Sequence, residues 1–327
     1  MIGGEFEIDI TKKGVFIEQP DTYYYASGRA ALYQILASLR ISRVWLPDYL
    51  CVSVFEAAKK TGCQVVFYEL DDNLDPKYET LSPNENDAVL LIDYFGLKDL
   101  NPIEDKISEL FPYTVLIEDD VQAFYDFIGE ANPYAHFRFT SLRKTFAVPD
   151  GGLVYSRHRL PKTDGVNTFT PFKLQAADMK FHRIEGGDDS LYLSLFEKGE
   201  EMINQNYDSQ MSPESKSLFS CCDIESAKKV RRANADFLLD GLKDIGIEPI
   251  IPVPDDKVPL FIPVWLENRN EVRKKMFSNE IFCPIHWPLE GMKVKKGAEM
   301  AEHELSLIVD QRYNKENVSI ILDYLNR

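Results

Sequence analysis

The stretch that most constrains this chain is residues 88–94, Ala-Val-Leu-Leu-Ile-Asp-Tyr. It has almost no polar face, as expected of a strand covered on both sides rather than one edge-on to water. Shorter runs of the same kind recur at Val44-Trp45-Leu46, residues 64–68, residues 114–118 and residues 152–156. Helical patterns separate them. Ala31, Leu32, Ile35, Leu36 and Leu39 recur at helical spacing behind Ser27, which is placed to cap them. Residues 52–60, ending near Gly62, and residues 101–111 read the same way. Strands alternating with helices mean βαβ units and a mostly parallel sheet, so the expected class is α/β. Such sheets bind ligands at the carboxyl ends of their strands. The chemistry is therefore expected where Val115-Leu116-Ile117 runs out, at Glu118-Asp119-Asp120.

Residues 160–222 are less regular and carry polar clusters such as Gly186-Gly187-Asp188-Asp189-Ser190; they read as connecting helices and loops around a site. From Asp223 the pattern changes. A long helix over 224–242 precedes a strand over 260–265, a helix over 270–278, a strand over 281–285, and helices near Glu299 and from Lys315 onward. The expected division is a large domain, 1–222, and a small α+β domain, 223–327.

The charge balance narrows the function. Acidic residues outnumber basic ones 53 to 37, a formal charge of −16, which argues against nucleic acid or an anionic membrane as partner. The five cysteines (Cys51, Cys63, Cys221, Cys222 and Cys283) are odd in number and lack C-x-x-C spacing, so they read as reduced thiols. With no basic-then-apolar start and no apolar stretch of bilayer length, a cytoplasmic location is expected. His136, His158, His182 and His303 show no ligand spacing, and no metal site is expected.

Three constellations carry chemistry. Ser27-Gly28-Arg29 opens a helix, where free N–H groups and the helix dipole favour a phosphate, although an ordinary cap looks the same. Glu118-Asp119-Asp120-Val121-Gln122 follows an apolar strand, and a carboxylate buried there needs a cation or several donors. That cation is a protonated heterocyclic nitrogen or a metal held by paired carboxylates; a solvated loop is the plain alternative. Third, Lys144 follows Ser141-Leu142-Arg143 and precedes Gly151-Gly152. Partial burial lowers a lysine's pKa and makes it a nucleophile toward carbonyls, whereas a surface lysine does nothing of the kind. One ligand uses all three in this order: pyridoxal phosphate, through its phosphate, ring nitrogen and aldehyde. Arg29, Arg138 and Arg143 are further candidates to meet a phosphate or carboxylate.

These residues also resemble the DegT/StrS-type sugar aminotransferases, pyridoxal-phosphate enzymes of fold type I. The likeness covers residues 27 to about 155 and, more loosely, 223–327. Ser27-Gly28-Arg29-Ala30-Ala31-Leu32 resembles the family's phosphate-binding turn, and Leu46-Pro47-Asp48-Tyr49, Gly62-Cys63-Gln64-Val65-Val66-Phe67 and Asp93-Tyr94-Phe95-Gly96 resemble the segments after it. Ile117-Glu118-Asp119-Asp120-Val121-Gln122-Ala123 resembles the motif whose Asp pairs with the pyridine nitrogen and whose Gln lies beside the ring. Ser141, Lys144 and Gly151-Gly152 resemble the lysine segment. Cys283-Pro284-Ile285-His286-Trp287-Pro288-Leu289, Leu305-Ser306-Leu307 and Asp310-Gln311-Arg312-Tyr313 resemble the small-domain signature.

The resemblance implies a mostly parallel, seven-stranded-type sheet and an aminotransferase using pyridoxal 5'-phosphate. Cofactor contacts would fall on Lys144, Asp119, Gln122, Gly28, Arg29 and Ser141. The family usually stacks an aromatic or His on the cofactor ring; here Cys51 falls near that place, with Tyr49 as the substitute. His286 would contact substrate or, equally, sit as a core histidine. An amino acid such as glutamate would be the donor, a keto-sugar nucleotide the acceptor and a homodimer the working unit. The family's Asn-rich segment, which reaches the partner's site, has no clear counterpart in 160–222. The rivals are a sugar dehydratase on the same cofactor, a metal-dependent glycosyltransferase using Asp119 and Asp120, and a non-catalytic relative acting as a binding protein.

Overall fold

The structure, a computed structural model, describes residues 1–184, 188–288 and 291–326. Gly186-Gly187 and Leu289, part of the motifs above, lie outside the described residues. In chain order the elements are β1 (Ile2–Gly3), β2 (Thr22–Tyr25), α1 (Gly28–Ser38), β3 (Arg43–Pro47), α2 (Val52–Lys60), β4 (Gln64–Tyr68), β5 (Asp87–Ile92), α3 (Asn101–Leu110), β6 (Val115–Asp119), α4 (Phe124–Phe127), β7 (Phe137–Ser141) and β8 (Gly152–Ser156). There follow β9 (Gly165–Val166), α5 (Thr170–Phe181), α6 (Ser190–Ile203), β10 (Ser209–Gln210), α7 (Pro213–Phe219), α8 (Ile224–Asp244), β11 (Phe261–Trp265), α9 (Arg269–Phe277), β12 (Ile281–Phe282), α10 (Lys295–His303), β13 (Glu304–Ile308) and α11 (Lys315–Leu325).

The main sheet runs β4-β3-β5-β6-β7-β8-β2-β10-β9. Its β4, β3, β5, β6 and β7 are mutually parallel, and β8 is antiparallel to both β7 and β2. This is the expected α/β architecture, and the continuous apolar run explains it: all six residues of β5 are buried. Nine strands are present rather than seven, because the connecting segment donates the two-residue strands β9 and β10 to the edge beyond β2. The run over 88–94 ends as strand at Ile92; Tyr94-Phe95-Gly96 instead makes a tight 3₁₀ turn with Phe95 at φ +61°. The expected strand over 281–285 shortens to two residues.

Two core strands lack an apolar signature. In β7, Arg138 interrupts the run, yet it is 4% exposed. Its charge is met by Glu118 at 2.7 Å and Asp120 at 3.2 Å, both from the neighbouring β6 turn. That removes the objection to a buried guanidinium, which needs a carboxylate partner. In β2, Tyr25 enters the core and donates its hydroxyl to the carbonyl of Pro161 at 2.9 Å.

A second apolar cluster joins α8, α9, α11, β11 and β13, and Ile2 packs within it. β11 and β13 pair antiparallel and β1 pairs parallel with β12, so the chain's first residues sit among its last. Met292, Val294 and Met300, by contrast, pack against the main sheet's core. Asp48 ties them there, accepting the Lys296 N–H on its carboxylate (3.1 Å) and the Gly297 N–H on its carbonyl (2.8 Å).

The tightest approach lies at β8. A Cβ on Gly152 would fall 2.0 Å from the Ser27 carbonyl oxygen and 2.8 Å from the Gly28 nitrogen. Gly151 beside it has φ +127° and bonds back to Ala26 (2.9 Å), while its own carbonyl accepts the Leu142 N–H (2.9 Å). The glycine pair thus lets backbone lie on backbone where α1 begins. Gly152→Ala is expected to destabilise the protein by about 2 kcal/mol or more, since neither facing group is a side chain that can swing away. Chemical denaturation checks this, and an unchanged midpoint contradicts it.

Candidate active site

The carboxyl ends of β5, β6 and β7 and the start of α1 border a cavity of about 310 Å³. Gly28, Arg29, Cys51, Asp119, Gln122, Ser141, Lys144 and His286, drawn from across the chain, all line it.

At α1, the Ser27 hydroxyl accepts the Ala30 N–H at 3.1 Å. The first N–H groups of a helix have no partner within it, and those of Gly28 and Arg29 find none elsewhere among the described residues. A Cβ on Gly28 would sit 3.3 Å from Ser141 and 3.3 Å from Val121, so the helix start rests against the ends of both β7 and β6.

Alternation along β6 and into the residue after it sorts Glu118, Asp119 and Asp120. Glu118 and Asp120 turn to Arg138 on one side. Asp119 turns to the cavity, where it is 4% exposed and has one side-chain hydrogen bond, from the Val121 N–H at 3.0 Å. No cation reaches it among the described residues, and burial pushes its carboxyl up to about 7. Asp119 and Asp120 therefore do not form the pair that a metal site of the glycosyltransferase kind would use.

Gln122 accepts the Phe95 N–H on Oε1 at 2.9 Å and fixes the left-handed turn after β5. Lys144 closes a 3₁₀ turn over residues 142–144. Its side chain lines this cavity and a neighbouring one of about 320 Å³ toward the C-terminal elements. Among the described residues its amine has no hydrogen bond and no ion pair. Its side chain is exposed, yet desolvation by the protein packed around the amine, reinforced by the Arg143 charge next to it, lowers its pKa.

Around the lysine lies a compensated network. Arg143 meets Glu200 at 2.9 Å, and Lys173 meets Glu200 at 2.8 Å and Glu5 at 3.3 Å. Burial opposes ionisation of Glu200, but these two cations hold its carboxyl well below the usual range. Arg29 bonds the Asn204 side-chain carbonyl and lies 3.7 Å from Glu200. Arg138, the remaining arginine candidate, faces away from this cavity toward Glu118 and Asp120.

Tyr49 departs from expectation. It is 1% exposed and does not line the cavity; it stacks on Tyr94 and donates its hydroxyl to the carbonyl of His286. Trp287 lies over it, with ring centroids 5.0 Å apart, and is the aromatic that reaches the cavity from this side. Cys51 lines the cavity as the residue before α2. Trp287 stands in the 283–289 motif beside His286 without a role legible from sequence, and Glu200 carries no local signal on α6.

The raised carboxyl of Asp119 has a consequence for stability. Its folded pKa lies above the unfolded value, so protein without a bound cation loses stability as pH rises from about 4 to about 7. Asp119→Asn removes that loss. In ligand-free protein at pH 8 the variant should be more stable than wild type by roughly 2–4 kcal/mol, with the gain vanishing near pH 4. Denaturation curves across this range check the prediction, and equal stability at pH 8 contradicts it.

No family model matches the chain, and no curated protein matches it in sequence. Solved structures do match in fold. Spr1654 from Streptococcus pneumoniae, in its PLP-form, aligns over 99% of this chain and 92% of its own with a TM-score of 0.68 and 14% identity. A DegT DnrJ EryC1 StrS aminotransferase from Brucella abortus aligns over 95% and 91% (TM-score 0.64, 15% identity). The aminotransferase TlmJ from Streptoalloteichus hindustanus aligns over 94% and 85% (TM-score 0.62, 17% identity). Over nearly its whole length, then, the chain has the fold of the DegT/StrS-type aminotransferases.

Proposed function

We propose that this protein is a pyridoxal-phosphate-dependent aminotransferase that moves an amino group from an amino acid such as glutamate to a keto-sugar nucleotide. The observation that carries the reading is a lysine amine with no hydrogen bond or ion pair among the described residues and a buried carboxyl with no cationic partner, lining one cavity with a helix start. The residues present fit the cofactor. The free N–H groups of Gly28 and Arg29, with Ser141 beside them, suit its phosphate. Asp119 lacks the cation that a protonated ring nitrogen supplies, and Lys144 offers an amine to the aldehyde. When bound, pyridoxal phosphate supplies a ring that draws charge from the substrate's Cα.

The chain's own residues do the rest. Asp119 would hold the protonated ring nitrogen of the bound cofactor, and that opposite charge would favour its ionised form. Lys144 Nζ, its pKa lowered by desolvation and by the Arg143 charge, would take a proton from the substrate carbon and return it. Arg29 and Arg143 bring positive charge to the same wall, and Glu200 holds both in place. Gln122 lines the cavity and holds the turn after β5 by accepting the Phe95 N–H. Trp287, packed on Tyr49, walls one side of the cavity.

The proposal extends to a cytoplasmic homodimer with no nucleic-acid or membrane partner. In support, the chain is strongly acidic, and no helix among the described residues is long and apolar enough to cross a membrane. The proposed domain division stays near residue 223, with β1 joined to the C-terminal unit. A sugar dehydratase would use the same cavity, and product analysis with a panel of nucleotide sugars separates it from an aminotransferase.

Reduction with borohydride after incubation with pyridoxal phosphate, followed by peptide mass spectrometry, should place the phosphopyridoxyl group on Lys144. Lys144→Ala should carry none while remaining folded; a label on another lysine overturns the assignment, and no label at saturating cofactor favours a non-catalytic binding protein. Asp119→Asn should lower turnover by at least about a hundredfold, since losing a buried charge partner costs several kcal/mol. Full turnover in this variant would contradict the role given to Asp119. Light scattering at assay concentration should give twice the chain mass, and an active monomer would end the dimer proposal.

A further inference from the structure

His286 lines both the catalytic cavity and its neighbour. Its ring is held among Phe95, Phe261 and Trp287, with centroids 5.8, 5.1 and 5.4 Å away. Behind it runs a closed chain of short hydrogen bonds. Nδ1 lies 2.7 Å from the Ser306 hydroxyl, and that hydroxyl donates to Glu304 Oε1 at 2.5 Å. Glu304 Oε2 accepts the backbone N–H of His286 itself at 2.7 Å. Ser306 and Glu304 are both 0% exposed on β13. Nε2 has no protein partner among the described residues.

A serine has one proton to donate. While Glu304 is ionised that proton goes to Oε1, so Nδ1 must carry hydrogen and Nε2 is left bare. When Glu304 is protonated, the chain reverses. The Nδ1 proton passes to the serine oxygen, the serine proton passes to Oε1, and Nε2 takes up one proton from the cavity. The ring stays neutral in both states, and one proton is gained in all.

We propose that Ser306 and Glu304 set the ring tautomer of His286, so that His286 presents an acceptor to the cavity when Glu304 is ionised and a donor when it is protonated. Burial lifts the Glu304 carboxyl to about 8 and depresses the His286 ring to about 3, in keeping with a ring that stays neutral while the acid titrates. The charged and titratable groups around the pair are few. Arg269 of α9 reaches the Glu304 carbonyl at 3.4 Å, Tyr49 donates to the His286 carbonyl, Cys283 lies buried near Glu304, and Lys144 faces the ring. Ser306 and Glu304 are thus positioning residues acting through His286. Resting on the transaminase reading, the inference assigns His286 a specific task. The acceptor form suits an amine or hydroxyl of the substrate beside Lys144, and the donor form suits a ketone.

The experiment uses cofactor-free protein labelled with ¹⁵N-histidine, in which His286 is one of five histidines and is assigned by His286→Gln. Two-bond ¹H–¹⁵N spectra report which ring nitrogen carries the proton. In wild type His286 should be Nδ1–H at pH 9.5 and Nε2–H at pH 6.5, changing near pH 8. In Glu304→Gln the amide oxygen keeps the His286 N–H and the amide N–H donates to Ser306, so Nε2–H should hold at both pH values. Ser306→Ala should abolish the pH response even if Glu304→Gln fails to fold. One unchanging tautomer in wild type, or a full response in Ser306→Ala, overturns the inference. Borohydride labelling of Lys144 judges the transaminase reading separately, because the tautomer is measured without cofactor.

Discussion

The arrangement at the sheet's carboxyl edge depends on one contact, the backbone of Ser27 and Gly28 lying directly on Gly152. No side chain fits between them. Because β8 pairs with β7 on one side and β2 on the other, that contact fixes where α1 begins relative to every central strand. The same glycine pair bonds to Leu142, which opens the turn carrying Lys144. Gly28 in turn touches Ser141 and Val121, the residues flanking the lysine turn and Asp119. A helix start, a carboxyl and an amine separated in sequence are thereby held against one another by backbone. Backbone contacts allow little relaxation, and that preorganisation is what a site for a rigid ligand requires.

Charge is distributed with a clear asymmetry. On one side of β6, Glu118, Asp120 and Arg138 compensate one another. On the other, Asp119 faces the cavity with only a backbone N–H. Lys144 is likewise uncompensated, while Arg143 and Lys173 beside it are neutralised by Glu5 and Glu200. Two opposite groups left without an ion pair in one cavity, beside charges that are paired, have the electrostatic pattern of a functional site. A zwitterionic or ring-protonated ligand would supply the missing partners.

Much of the fold was legible because burial writes itself into sequence as apolar runs. Helix α2 and strands β4 and β8 fall where spacing placed them. Strand β7 was not legible, because Arg138 breaks the run and only tertiary structure brings Glu118 and Asp120 to neutralise it. The resemblance puts Tyr49 at the cofactor ring as substitute for the family's aromatic, but the residue turns inward onto Tyr94, and a likeness along a loop does not say which way a side chain points. Glu200 reaches the cavity only because α6 packs across the lysine turn, through contacts with no local signature. Ser306 and Glu304 look like ordinary strand residues until β13 is seen to be buried along its whole length.

A crystal structure of the protein grown with pyridoxal phosphate tests whether the helix start, Asp119 and Lys144 serve a single ligand. The expected result is the phosphate against the N–H groups of Gly28 and Arg29, the ring nitrogen within hydrogen-bond distance of Asp119, and the former aldehyde carbon bonded to Lys144 Nζ. A cofactor bound in the reverse sense, lodged in the neighbouring cavity beside Arg231 and Arg312, or leaving Asp119 without a partner would contradict it.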